Sequence, residues 1–63
     1  MDYVLMVVEQ YNGQVIKNLA LSHDPALHTI GTRAEVEHAA TELLKEDPNL
    51  NLEIVTFKNF VEN

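Results

Sequence analysis

Cysteine and tryptophan are missing from this chain, glycine and proline occur twice each, and only four residues are basic. Without cysteine there are no disulfides and no thiolate metal sites. The same absence fits a reducing compartment and predicts a cytoplasmic protein. With only Gly13 and Gly31 there is no glycine-rich loop to cradle a phosphate. Four bases against ten acids leave a formal charge of −6. Direct nucleic-acid binding needs clustered Lys and Arg, so that class is set aside. An acidic surface instead favours solubility and attracts a basic partner surface. Long apolar runs are also lacking. The opening "MDYVLMVVEQ" is too short to span a membrane, carries an acid at position 2 and has no basic leader, so it reads as a strand and no membrane association is expected.

What is present fits one small domain, residues 1–63, close to the lower size at which a core sustains itself. Residues 3–11 are rich in Val and aromatics, as strands are. Asn12-Gly13 follows, the dipeptide that a type I′ hairpin turn requires because both central residues take positive φ. Residues 14–21 are the return strand. Pairing Tyr11 with Gln14 sets Val8 against Lys17, Met6 against Leu19 and Val4 against Leu21. One sheet face then holds Val4, Met6, Val8, Val15, Leu19 and Leu21 and reads as the core. The other holds Tyr3, Leu5, Val7, Ile16 and Ala20 among polar residues.

Residues 22–31 are a loop. Thr32-Arg33-Ala34-Glu35 matches a capping box and opens a helix over 33–47, with Val36, Ala39, Ala40, Leu43 and Leu44 as its apolar stripe. Pro48 ends it by disfavouring helical geometry at Asp47. Residues 50–60 return to strand chemistry: Leu50, Leu52 and Ile54 alternate with Asn51 and Glu53, and the pattern then blurs towards a bulge or bend. The fold class predicted is α+β, a β-β-α-β chain forming a three-stranded antiparallel sheet in order 2-1-3 with one helix on one face.

One helix covers one face. The second face, with Tyr3, Leu5, Val7, Ile16, Val55 and Phe57, is therefore expected to be an interface, for a homodimer packed face to face or edge to edge or for another protein. The competing expectation is that residues 57–63 fold back over it. Glu35, Glu42 and Glu46 fall on one helix edge, extended by Asp47, where the helix dipole disfavours negative charge. That acidic edge is the candidate partner-binding site, against the plainer possibility of a solvated face.

"SHDPALH", residues 22–28, places His23, Asp24 and His28 close together. The spacing matches no standard ligand pattern, and Asp24-Pro25 suits a turn with Leu27 tying the loop to the core. Ser22 next to His23 is no dyad, since such geometry is set in space. No residue is given a catalytic or metal-binding role, and no cofactor is expected.

The segments "EQYNGQVIKNLAL", "GTRAEVEHAATELL" and "NLEIVTF" give the chain a plan that resembles the small acidic proteins bacteriophages make to inhibit host enzymes or defence systems, among them the short phage inhibitor of bacterial RNA polymerase. "GTRAEVEHAATELL" is also similar to the helix entry of the HicB antitoxin family, whose longer partner strands this chain lacks. The resemblance transfers no functional residue. It implies a non-enzymatic, protein-binding inhibitor or regulator acting on a larger nucleic-acid-handling or defence enzyme. Two other readings stand beside it: a small dimeric ligand-binding or sequestering protein with His23, His28 or Arg33 as polar anchors, and an antitoxin-like subunit.

Overall fold

The structure is a computed structural model and describes residues 2–62; Met1 and Asn63, the outermost residues of the expected domain, lie outside the described residues. The elements are β1 (Tyr3–Tyr11), β2 (Gln14–Leu19), β3 (Ile30–Gly31), α1 (Arg33–Glu46), β4 (Leu52–Thr56) and α2 (Phe57–Glu62). The protein is α+β. The sheet is antiparallel, with β2 and β4 on opposite edges of the central β1, which is the expected 2-1-3 order. The short β3 lies within the expected loop and follows β2 along the same edge of β1.

The hairpin forms as its turn chemistry dictates. Asn12 has φ 52° and Gly13 φ 76°, the left-handed values of a type I′ turn. Tyr11 faces Gln14, Val8 faces Lys17 and Met6 faces Leu19. The register expected for Val4 fails, because β2 ends at Leu19. The Ala20 N–H still donates to the Leu5 carbonyl at 2.9 Å, but the chain then turns away and Leu21 is 81% exposed. Ile30 takes the place opposite Val4, and the Leu5 N–H donates to Thr29 at 2.8 Å.

Residues directly opposite in a ladder share a face. Val4, Met6, Val8, Val15, Lys17, Leu19, Ile30, Glu53 and Val55 therefore lie on one side. Tyr3, Leu5, Val7, Ile16, Leu52 and Ile54 lie on the other. The helix packs on the second of these sides, the reverse of the expectation. Leu5, Ala20, Val36, Ala39 and Leu43 form the buried cluster, flanked by Tyr3, Val7, Leu27, Ala40, Leu50, Leu52 and Ile54. Val36, Ala39 and Leu43 recur at i, i+3 and i+7, and the small Ala39 and Ala20 allow close approach of helix and sheet. Leu5 is 0% exposed. It is a core residue, and with Tyr3 and Val7 it leaves the expected interface. Ile16 shares their side but stays exposed, and Val55 belongs to the opposite side.

The last strand is shorter than expected. It stops at Thr56, whose Oγ1 accepts the Asn59 N–H at 3.2 Å, and the chain continues directly into α2. The blurred alternation after Ile54 is this change of element. α2 lies against β1 and β4. Phe60 sits beside Met6 and Val55, so the fold-back of the C-terminal residues does occur, over the side away from α1. Val4 and Met6 are buried there.

Candidate functional site

The side of the sheet away from α1 is closed only in part. Beyond α2 it leaves Val15 58% exposed, with Val8 and Leu19 half-buried, and Ile30, Phe57 and Val61 also reach solvent. A shallow pocket of about 220 Å³ opens among Met6, Lys17, Val55 and Phe60. Within the strands, the charged residues of this face are Lys17 and Glu53, and they pair with each other at 3.0 Å, while Asp2, whose carbonyl accepts the Phe57 N–H, lies at its rim. α2 contributes Lys58 and Glu62, again one of each sign. The surface is thus apolar, and the charges of its strands and of α2 balance on a chain of −6.

The residues that build it differ from those read from the sequence. Val55 and Phe57 remain, while Met6, Val15, Lys17, Glu53 and Phe60 were not assigned to an interface. A signal was available in β4. Leu52 and Ile54 alternate with Glu53, and the apolar set had to face the helix. Because Ile54 pairs with Leu5, that choice turns Leu5 inward and Met6 outward.

The acidic helix edge is occupied in large part by local contacts. Thr32 caps α1: its hydroxyl accepts the Glu35 N–H at 3.2 Å, and Glu35 Oε1 accepts the Thr32 N–H at 2.9 Å. Glu35 Oε2 also lies 3.4 Å from His28 Nδ1. The Thr32 backbone N–H and hydroxyl hold the Glu35 carboxyl below its usual range, with His28 adding a smaller pull. Glu42 Oε2 is 2.8 Å from Lys45 Nζ, and Lys45 lowers its pKa too. Asp47 ends the helix. Its N–H donates to Leu43 at 3.0 Å, and its Oδ1 accepts the Asn49 N–H at 3.1 Å. Among the described residues, no ion pair engages Glu46.

The loop of "SHDPALH" is a structured connection. Asp24 Oδ1 accepts the Ala26 N–H at 2.9 Å, the Asp24 carbonyl accepts the Leu27 N–H at 3.0 Å, and Leu27 packs against the core. Ala26 beside it is exposed. His28 turns to Glu35, and Arg33 lies 5.6 Å from the Tyr3 ring centroid while pairing with Glu37 at 2.8 Å. Neither lines the pocket. Among the described residues, no group of three or more His, Asp or Glu converges as a metal site. No helix there is long and apolar enough to cross a membrane. Comparison of the chain with protein-family models, with curated proteins and with solved structures finds no match.

Proposed function

We propose that this protein is a non-enzymatic binding module, an inhibitor or regulator that acts by docking on another protein in the cytoplasm. The observation that carries the reading is the division of the molecule into two unlike sides. α1 and its cap bear Glu35, Glu37, Glu42, Glu46 and Asp47 against Arg33 and Lys45. The opposite side is apolar, and its strand charges Lys17 and Glu53 are paired. Two sides of this kind suit an electrostatically steered encounter with a basic surface and a separate apolar contact. A homodimer belongs to the same proposal. The target belongs to the same proposal: a larger nucleic-acid-handling or defence enzyme, as the resemblance of the sequence plan to phage inhibitors implies.

Capture from a bacterial lysate, followed by binding and activity measurements on the captured enzyme, tests the reading. The complex is expected to form more slowly with Glu42→Lys plus Glu46→Lys, to lose much of its dependence on salt in that variant, and to reduce the enzyme's turnover. One stable co-purifying toxin would instead support the antitoxin reading. Equal association rates across salt for both forms would remove the role of the acidic side.

A further inference from the structure

The charge of the apolar side restricts what covers it. α1 covers one side of the sheet and leaves the other side open. α2 does not close it. That helix buries Val4 and Met6 but turns Phe57 and Val61 outward, so it widens the apolar surface.

We propose that a second copy of the chain occupies this face, giving a twofold dimer with the two sheets inside and the two α1 helices outside. An approach through the helix sides of two chains of charge −6 sets their acidic α1 edges together. On this face the Lys17–Glu53 pair contributes none in sum, and a twofold axis that crosses the Lys17–Glu53 line at the pair sets Lys17 of each chain against Glu53 of the other. A basic partner surface finds no negative field here and is served by the helix side. The small size of the chain points the same way, since domains with so little core and no disulfide commonly gain burial by association. The dimer leaves the acidic helices exposed, so it is independent of whether any target exists.

Sedimentation equilibrium of the purified full chain, from low to high micromolar concentration, tests this without a target protein. The expected result is a reversible dimer of twice the 7.1 kDa chain mass. Neighbouring residues of β2 supply the paired variants. Val15→Glu, on the open face, is expected to weaken dimerisation roughly tenfold or more by placing two carboxylates in an apolar contact. Ile16→Glu points to the other side and is expected to leave it unchanged. Both positions are exposed, and circular dichroism checks that both variants fold. Added salt is expected to leave the dimer as tight or tighter, because it screens the repulsion between the acidic chains. A wild-type chain that stays monomeric throughout would overturn the proposal, as would a dimer broken by Ile16→Glu and spared by Val15→Glu. Slow exchange of the outward amides of β2 or β4 would also overturn it, by showing an edge-to-edge dimer. Failure of the capture experiment, by contrast, bears only on the regulatory function.

Discussion

Lys17 Nζ lies 3.0 Å from Glu53 Oε2, which joins the two outer strands of the sheet across the central one. The aliphatic stem of Lys17 thereby lies along the apolar floor at Met6 and Val55, with its charged end held in solvent. Both side chains are about half exposed, so the pair stabilises the monomer by ~0.2–1 kcal/mol at most. Its weight is in what it does to the face. Lys17→Met with Glu53→Met keeps the face uncharged, and Lys17→Glu gives it two negative charges. Chemical denaturation is expected to show a small loss for each, while sedimentation shows dimerisation kept in the first and lost in the second. Equal dimerisation in both would sink the argument from charge.

The hairpin turn yields a second test. Gly13 holds φ 76° in open space, so a methyl group there meets no atom and suffers only from the backbone conformation. Gly13→Ala is expected to cost about 1 kcal/mol, the penalty of a left-handed L-residue. Asn12→Gly is expected to cost less, since glycine accepts the φ of 52°. Urea midpoints of the two variants check the order. A larger loss from Asn12→Gly would mean that the Asn12 side chain stabilises the turn in a way its backbone angles do not reveal.

The capping box predicts a response to acid. Thr32→Ala removes the acceptor of the Glu35 N–H and is expected to cost about 1 kcal/mol. Gly31 belongs to the same unit, because a Cβ there would stand 2.7 Å from Glu35 Oε1 and push the carboxylate off the Thr32 amide. Gly31→Ala and Glu35→Ala are therefore expected to be non-additive in a double-mutant cycle. The Glu35 carboxyl is lowered from its ordinary value of 4.5 in the folded state, so the unfolded chain binds its proton first as pH falls. Its contribution is complete above 4.5 and is lost as pH drops through the lower folded value. Glu42, lowered by Lys45, acts in the same direction. Urea midpoints between neutral pH and pH 3 are expected to fall in the wild type and to fall less in Glu35→Gln. An identical fall would assign the acid response to other carboxylates.

Much of the fold was legible in the residues. Asn12-Gly13 determined the hairpin and the register of three pairs. Thr32 and Glu35 marked the start of α1 to the residue, and Asp47 before Pro48 marked its end. The choice of face was not legible in β1 alone, because Val4, Leu5, Met6 and Val7 make both faces of that strand apolar. β2 pointed the wrong way, since Val15 and Leu19 look more like core than Asn18 and Ala20 do. Ala20 is inside because its small side chain lets α1 approach, a property that hydrophobicity ranks low. α2 was hidden by composition. Val55, Phe57 and Val61 suit a strand, and the Thr56 cap overrides that preference.

The reversal of faces can be measured in the monomer. Leu5 is fully buried against Val36 and Ala39, whereas Ile16, on the same side but beyond the helix, is 39% exposed. If Leu5 belonged to an outer interface, truncating it would leave the isolated chain as stable as before. Packed as it is, Leu5→Ala opens a cavity and is expected to cost about 2–5 kcal/mol. A chain of this length has roughly 3–9 kcal/mol in total, so that loss unfolds a substantial fraction of the molecules near body temperature. Ile16→Ala, which empties no cavity, is expected to stay within about 0.5 kcal/mol. Thermal unfolding of Val15→Glu as the background, where the chain is monomeric, separates these folding losses from any loss of dimer contacts. Equal stability of Leu5→Ala and Ile16→Ala there would place α1 on the other side of the sheet, and the open face with its Lys17–Glu53 pair would have to be reassigned with it.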